Sequence, residues 1–433
     1  MSSEPWIDVP RGGEVLKVPE APSRRRGNGR RQNKRVILAY SGGLDTSVAV
    51  RWMSDNLEAE VIALAVDVGQ TSDDWDLVRA RALAAGAVEA IVVDAREEFA
   101  REYCLPALRA NALYEGRYPL VSALSRPLIV KHLVAAARDH AADAVAHGCT
   151  GKGNDQVRFE VSTRALAPDL DVVAPVRSWG MTREDCILYA YDHDIPITAT
   201  KEKVYSIDDN LWGRAIECGE MEDPWAQPPP GVWALTRPTA TEPTDVVVGF
   251  QAGSPVSLDG QELDPATLIT RLNGLVGSYG WGRIDMVENR RVGIKSRETY
   301  ECPAALALTL AHADLEGICL ERDLAREKSR LEPRYAELVY DGLWFSPLKE
   351  ALDAFVAASQ RHVTGEVRLH LAPGSCQVSG RRSPHSLYDY GLATYDAADR
   401  FRHEDSEGFV RLWGLGVQTW AAVQGPGADT AGP

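Results

Sequence analysis

No stretch of the 433-residue sequence stays apolar for the roughly 18–20 residues that a helix needs to cross a bilayer, which argues against an integral membrane protein. The sequence has no CxxC and no HExxH, and its seven cysteines are odd in number and scattered. These absences argue against a disulfide framework and against common zinc sites, so we expect no protein-held metal cluster. The cysteine usage favours a reducing cytoplasm, and the amino end lacks the apolar core of a secretory signal.

An excess of positive over negative charge is confined to the amino end. The 47 basic and 62 acidic residues give a net charge of −15, a sign that repels phosphate backbones and argues against broad nucleic-acid binding. By contrast, residues 24–35 read RRRGNGRRQNKR. We predict that residues 1–34 form a disordered basic tail. A solvated extension is the favoured interpretation, and contact with nucleic acid or an acidic partner stays open.

Apolar runs alternate with helical segments from residue 35 onward. Continuous apolar strands separated by helices predict an α/β domain over residues 35–198, with a parallel sheet covered by helices on both faces. The expected strands are 36–40, 61–69, 90–95, 143–148 and 172–176, and the expected helices are 46–56, 76–85, 97–110, 122–142, 155–166 and 183–192.

The rhythm changes in the second half of the chain. We predict an α+β domain over residues 199–415 and a flexible tail over 416–433. Residues 223–243 are too rich in proline for a regular element and are expected to be a linker or a long ordered loop. Further expected elements are a hairpin at 246–260, strands at 291–295, 366–372 and 376–380, and helices at 264–275, 303–313, 315–328 and 347–360.

The sharpest local motif is AYSGGLDTS, residues 39–47, which runs from an apolar strand through two glycines into a helix. Free amides at a helix start bind anions, and hydroxyls at Ser41, Thr46 and Ser47 add donors. A carboxylate at Asp45 fits such a site if it holds Mg²⁺ or a backbone amide. The pattern resembles the loop of enzymes that split ATP into AMP and pyrophosphate.

A second polar motif, HGCTGKGNDQVRFE, follows the expected strand at 143–148. Asn154 and Arg158 are four residues apart and share a helix face. Asp155 suits an ammonium group and Arg158 a carboxylate, so the motif fits an amino-acid zwitterion. Because ligands bind beyond the carboxyl ends of parallel strands, both motifs should lie at one edge of the sheet.

Six blocks together resemble the argininosuccinate synthase family, and the likeness runs from about residue 35 to about residue 415. They are AYSGGLDTS, ALYEGRYPL, HGCTGKGNDQVRFE, YSIDDNLWGRAIECG, GRIDMVENRRVGIKSRETYE and ELVYDGLWFSP. The resemblance implies a nucleotide domain of the ATP-pyrophosphatase type, followed by a synthetase and multimerisation domain, in a homotetramer. It implies ligation of citrulline and aspartate through citrullyl-AMP, with ATP as a substrate together with Mg²⁺.

The resemblance also implies the site residues. It assigns catalytic roles to Asp45 and Asp155, although the residues themselves mark no clear general base. ATP would contact Ala39, Tyr40, Ser41, Gly42, Gly43, Leu44, Asp45, Thr46, Ser47, Val66 and Gly148. Aspartate would contact Thr150, Asn154 and Asp155, and citrulline would contact Tyr118, Ser122, Asn154, Arg158, Ser206, Glu288 and Tyr300.

Two departures from some family members leave the exact ureido substrate open. Ala123 and Ala215 stand where some members place a hydroxyl, and both positions are expected near citrulline. The alternatives are a paralogue that adenylates another ureido amino acid, a related adenylating enzyme with another acceptor, and a non-catalytic nucleotide-binding scaffold. The intact motifs at 41–47 and 150–158 argue against the scaffold.

The tail interpretation predicts that deletion of residues 1–30 leaves kcat unchanged, because a solvated extension contributes nothing to a site that begins at residue 39. Steady-state rates of the full chain and the truncated chain test this. A large loss of kcat would show that the tail takes part in the reaction.

Overall fold

The computed structural model describes residues 34–70, 74–196 and 205–425. The predicted basic tail and the predicted boundary at 198/199 therefore lie outside the described residues, apart from Lys34, which begins the first strand. No helix in these ranges is long and apolar enough to span a membrane.

The first part of the chain folds around a parallel five-stranded sheet in the order β3-β2-β1-β4-β5. Its strands are β1 Lys34–Ala39, β2 Ala59–Asp67, β3 Glu89–Asp94, β4 Ala144–Ala146 and β5 Asp171–Val173. Ile37 packs into one apolar core while Val36 and Leu38 pack into another, so both faces of β1 are buried. This burial explains why the strands read as unbroken apolar runs, and it confirms the predicted fold class.

Helices cover both faces of this sheet. They are α1 Leu44–Leu57, α2 Trp75–Ala84, α3 Arg96–Phe99, α4 Leu105–Arg109, α5 Val121–Asp139, α6 Asp155–Leu166, α7 Pro175–Ser178 and α8 Arg183–Asp192. A π-helical turn at Ala100–Cys104 joins α3 to α4, which together occupy the predicted helix at 97–110. Helix α8 begins with a capping box, in which the Thr182 side chain accepts from the Asp185 amide and the Asp185 side chain accepts from the Thr182 amide.

Two antiparallel sheets form the second part, in the orders β10-β9-β8-β13-β14 and β11-β12-β7-β6. The strands are β6 Ser206–Asn210, β7 Gly213–Glu217, β8 Thr244–Gln251, β9 Ser254–Leu258, β10 Gln261–Glu262, β11 Arg283–Asn289, β12 Lys295–Glu301, β13 Gly365–Ala372 and β14 Ser375–Arg382. The helices are α9 Pro265–Ser278, α10 Pro303–Cys319, α11 Arg322–Tyr340, α12 Pro347–Ser359, α13 Tyr390–Ala393 and α14 Glu404–Gln424.

One expectation for this part is wrong, one hairpin was not foreseen, and one predicted tail overlaps a helix. Residues 291–294 are the turn between β11 and β12, where Gly293 takes a φ of 92° and the apolar side chains of Val292 and Ile294 are exposed. The hairpin of β6 and β7 was not expected, because its strands carry too few apolar residues to show a strand pattern. The predicted tail from 416 begins inside α14, so residues 416–424 are helical.

The proline-rich segment 223–243 is an ordered loop held by one buried carboxylate. Glu301 is fully buried and accepts from the amides of Ala234, Leu235 and Thr236 at 2.8–3.0 Å and from the Thr236 hydroxyl at 2.7 Å. Arg214 donates to the same carboxylate at 2.8 Å. Hydrogen bonds to the Glu301 carboxylate therefore replace the backbone hydrogen bonds of a regular strand or helix, which the prolines prevent.

This arrangement predicts that Glu301→Ala lowers the free energy of unfolding by about 3–5 kcal/mol, because it leaves the buried Arg214 without its carboxylate partner. Glu301→Gln should cost less, since its amide oxygen still accepts. Chemical denaturation measures both. The control is Glu366→Ala, which removes an exposed pair with Arg382 and should cost less than about 1 kcal/mol. Equal losses for Glu301→Ala and the control would contradict the assignment.

Candidate active site

The two sequence motifs meet at one edge of the parallel sheet. β1 and β4 are hydrogen-bonded neighbours, with Leu38 opposite Ala146. Their carboxyl ends therefore place the bend at 41–43 beside the bend at 148–153. A Cβ on Gly148 would lie 2.9 Å from the methyl group of Thr46, so this close approach requires glycine.

The first bend leaves a helix start without a side-chain cap. Gly42 has a φ of 72°, and Gly43 precedes α1 with no side chain to satisfy the first amides. Asp45 lies in the first turn of α1, where burial raises the pKa of its carboxyl group and Arg183 partly opposes that effect. These free amides and the helix dipole make the bend suitable for a phosphate group.

A cavity of about 300 Å³, here called the β1 cavity, opens over this bend. Most of the residues predicted for ATP line it, namely Ala39, Tyr40, Ser41, Gly43, Leu44, Asp45, Thr46, Val66 and Gly148. Gly42 and Ser47 do not. The Ser47 side chain is buried, and its hydroxyl lies 2.9 Å from the Tyr40 hydroxyl, so it supports the loop from behind.

A second cavity of about 380 Å³, here called the Tyr118 cavity, adjoins the first. Every residue predicted for aspartate or citrulline lines it, namely Tyr118, Ser122, Thr150, Asn154, Asp155, Arg158, Ser206, Glu288 and Tyr300. The two cavities share a wall made by Ser41, Arg126, Gly148, Cys149, Asp155 and Asp208. The structure thus gathers residues that are up to 259 positions apart in the sequence, from Ser41 to Tyr300.

Asp155 is held in the shared wall by two guanidinium groups. Arg126 donates to its Oδ2 through Nε at 2.9 Å and Nη2 at 2.7 Å, and Arg158 donates to its Oδ1 at 2.8 Å. Arg126 also donates to Asp208 at 2.6 Å. Burial alone would raise the pKa of Asp155, but the two arginines lower it to about 2. Asp155 is therefore a fixed anion and a poor proton acceptor at neutral pH.

Tyrosines surround the carboxylate of Glu288 at the far end of the Tyr118 cavity. Tyr300 and Tyr340 both donate to it, the latter at 2.7 Å, while burial raises its pKa. Asn154 donates to the Tyr340 hydroxyl at 2.8 Å, and Tyr114 stacks on the Tyr340 ring with centroids 3.6 Å apart. Helix α11 thus helps to close a site that begins at the parallel sheet.

A second acidic group of this cavity is organised by Arg290. Its Nη2 lies 2.7 Å from Glu217 and 2.5 Å from Glu298. Burial, and then the nearby Glu298, raises the pKa of Glu217 to about 7. The carboxylates of Glu217 and Glu298, both paired with the Arg290 guanidinium, thus line the cavity together with Ala215.

Sequence reasoning missed Arg126, Tyr340 and the Arg290 group. The one signal for Arg126 is a guanidinium among the apolar residues of the predicted helix 122–142, and Tyr340 gives no local signal. Of the two alanines that depart from some family members, Ala215 lines the Tyr118 cavity, whereas Ala123 packs in the core and lines neither cavity. Burial raises the pKa of Cys149, so its thiol stays protonated.

Comparison with known proteins agrees with this geometry. Residues 35–196 match the N-terminal HUP domain of arginosuccinate synthase, and residues 205–420 match its C-terminal domain. An argininosuccinate synthase of Symbiobacterium thermophilum is 57% identical over 394 residues, which cover 90% of this chain and 98% of the relative.

Two solved structures share a distant likeness with part of the chain. The U34-tRNA thiolase NcsA of Methanococcus maripaludis is 14% identical with a TM-score of 0.26, over 40% of this chain and 60% of that one. A predicted tRNA methyltransferase subunit of Methanocaldococcus jannaschii is 12% identical with a TM-score of 0.25, over 36% and 74%. At these values the likeness says nothing about activity. The match of both domains and the identity over nearly the whole relative show that the chain belongs to the argininosuccinate synthase family of ATP-dependent ligases.

Proposed function

We propose that the β1 cavity binds ATP and that the Tyr118 cavity binds citrulline and aspartate. As a member of its family, the chain ligates these two amino acids through citrullyl-AMP, giving argininosuccinate, AMP and pyrophosphate. The observation that carries the assignment of the cavities is their shared wall. It lets a ureido oxygen in one cavity reach the α-phosphorus of a nucleotide in the other.

The first step needs alignment rather than a protein nucleophile. The ureido oxygen attacks the α-phosphorus, the bond to the β-phosphate breaks, and pyrophosphate leaves with that electron pair. The free amides of residues 44–46, at the start of α1, are placed to stabilise the phosphate charge. Holding the two reactants in line can contribute about 7–11 kcal/mol.

The β1 cavity also fits Mg²⁺ held together with the phosphates. Asp45, Ser41 and Thr46 offer the oxygen ligands that this ion takes. Among the described residues no group of three or more His, Cys, Asp or Glu side chains could hold a metal ion. The phosphates would therefore supply much of the coordination, and the ion would neutralise their charge.

The second step joins aspartate to the activated carbon. Asp155 and Asn154 would orient the ammonium group, which gives one proton to solvent water before the amine attacks and a second one to solvent water after it. The C–O bond then breaks, and AMP leaves with the electron pair. The low pKa of Asp155 assigns it an orienting role rather than that of a base.

Citrulline would lie along the rest of the Tyr118 cavity. Arg158 is placed to contact its carboxylate, with Asn154 and Tyr118 beside it, and Glu288 is placed to contact its ammonium group. Ser122, Ser206 and Tyr300 complete this wall. Ala215 leaves room there, so citrulline and its homologues should be compared as substrates in one pyrophosphate-release assay.

Assembly into a homotetramer is also proposed, with residues 199–415 as the synthetase and multimerisation domain. Helix α14 supports it, because its large apolar side chains are exposed: Phe409, Val410, Leu412, Trp413, Leu415, Val417, Trp420 and Val423. Such a face is buried most simply against other subunits. The seven cysteines are all free, which supports the proposed cytoplasmic location.

Asp45→Ala should abolish ATP-dependent pyrophosphate release in the presence of citrulline, because it removes the carboxylate at the start of α1. The matched control is Asp76→Ala, an exposed acid in the first turn of α2. The control should keep the wild-type rate. If Asp45→Ala stays within about threefold of wild type, the assignment of the loop is wrong.

Arg158→Leu should raise the KM for citrulline about tenfold or more and leave the KM for ATP nearly unchanged, since a charge-assisted hydrogen bond contributes about 1.5–3 kcal/mol. Arg158→Lys keeps the charge and loses the planar fork, so its effect should be intermediate. Arg164→Leu, exposed on the same helix, serves as the control. Thermal melting checks that each variant folds, and equal effects on both KM values would contradict a carboxylate clamp.

A further inference from the structure

A buried polar network lies behind the second bend and has no role in the assigned binding contacts. His147, at the end of β4, is 1% exposed and stacks on Phe159 of α6 with ring centroids 5.4 Å apart. Glu160 of the same helix faces the imidazole, with its Oε1 3.6 Å from Nε2. Arg177 of α7 lies 2.6 Å from that oxygen.

Two hydrogen bonds tie the bend at 148–153 to this network. The amide of Cys149 donates to Nδ1 of His147 at 3.2 Å. At the other end, the Gln156 side chain donates to the carbonyl of Gly151 at 2.5 Å, and Arg177 donates to the Gln156 side-chain oxygen at 2.9 Å. The network therefore contacts the bend at two points, Cys149 and Gly151.

The hydrogen bond from the Cys149 amide to Nδ1 determines the tautomer of the His147 imidazole. Because Nδ1 accepts from an amide, the neutral ring carries its proton on Nε2. That N–H has no hydrogen-bond partner among the described residues. A second proton on Nδ1 would face the Cys149 amide, and the acceptor that holds this residue would be lost.

We propose that His147 is a positioning residue whose Nδ1, together with the Glu160–Arg177–Gln156 chain behind it, holds the bend at 148–153 in its binding conformation. This inference rests on the proposed function, in which Gly148 contacts ATP and Thr150 contacts aspartate. His147 does not itself line either cavity. We expect a change at His147 to affect the binding of aspartate. The proposed contacts of aspartate include Thr150, which lies in the bend, and Asn154, which directly follows it.

The same geometry makes the bend sensitive to pH. Burial lowers the pKa of His147 from its ordinary value of 6.5, and Arg177 lowers it further, while Glu160 and Asp155 oppose the shift. The pKa of His147 is lowered when the bend at 148–153 is in its binding conformation, so the histidine binds fewer protons there than when the bend is released. The binding conformation is thus fully favoured above about pH 6.5, and this advantage is lost as the pH falls.

Side-chain amides can separate the roles of the two ring nitrogens. In His147→Asn the amide oxygen takes the place of Nδ1 and can accept from the Cys149 amide, whereas in His147→Gln the side-chain amide reaches the place of Nε2. At about pH 7.5 we expect His147→Asn to keep the KM for aspartate within about threefold of wild type. His147→Gln and His147→Ala should raise it about tenfold, with a smaller change in kcat.

Two further readouts test the mechanism. The KM of wild type for aspartate should rise as the pH falls below about 6.5, and His147→Asn should lack this rise. At one fixed pH, hydrogen–deuterium exchange at residues 148–154 should increase in His147→Ala and not in His147→Asn. His370→Asn, an exposed histidine on β13, is the control and should match wild type throughout.

The outcomes are decisive for the positioning role. If His147→Asn binds aspartate as poorly as His147→Ala, or if its pH profile follows that of wild type, the proposal is wrong. Unchanged exchange in His147→Ala would overturn it as well. Absence of argininosuccinate formation by the wild-type chain would instead refute the proposed function, so the two failures are distinguishable. Thermal melting of each variant confirms that the comparison is made on folded protein.

Discussion

The site depends on the pairing of β1 with β4 in the parallel sheet. Neighbouring parallel strands lie about 4.8 Å apart, so the two bends that follow them start at nearly the same point. Gly148 has no side chain, and Thr46 fills the space that a Cβ would occupy. Any larger spacing would separate the two cavities, and the shared wall through which the proposed adenylation runs would be lost.

Charge around the two cavities is costly to bury and is balanced locally. Asp155 and Asp208 lie on Arg126, with Arg158 on the other oxygen of Asp155, while Arg290 bridges Glu217 and Glu298. Buried charges persist when each is paired and hydrogen-bonded, because an unpaired one destabilises the fold by several kcal/mol. These fixed side chains of positive and negative charge suit ligands that are themselves zwitterions or phosphates. A bound ligand would exchange its hydrating water for hydrogen-bond partners that are already in position.

Much of the fold was predictable because its strongest determinants are local. The strands of the parallel sheet read as apolar runs since both of their faces are buried, and the bend at 41–47 carries its glycines in the sequence itself. The turn at 291–294 was misread as a strand because Val292 and Ile294 imitate one, whereas Gly293 in the left-handed region marks the turn. The contacts of Arg126 and Tyr340 depend on residues 29 to 186 positions away, and no sequence window contains such pairs.

Those long-range contacts also bring the two parts of the chain together around the proposed site. The parallel sheet supplies the bend at 41–43 and one wall of the Tyr118 cavity, but Glu288 and Tyr300 come from the antiparallel sheet and Tyr340 from α11. Asn154 donates to the Tyr340 hydroxyl and accepts from the amide of Arg291, which joins the bend to both of these elements. In the proposed function, an activated ureido carbon formed at the shared wall would therefore have its second reactant bound beside it. The proposed contacts of that second step come from both parts of the chain.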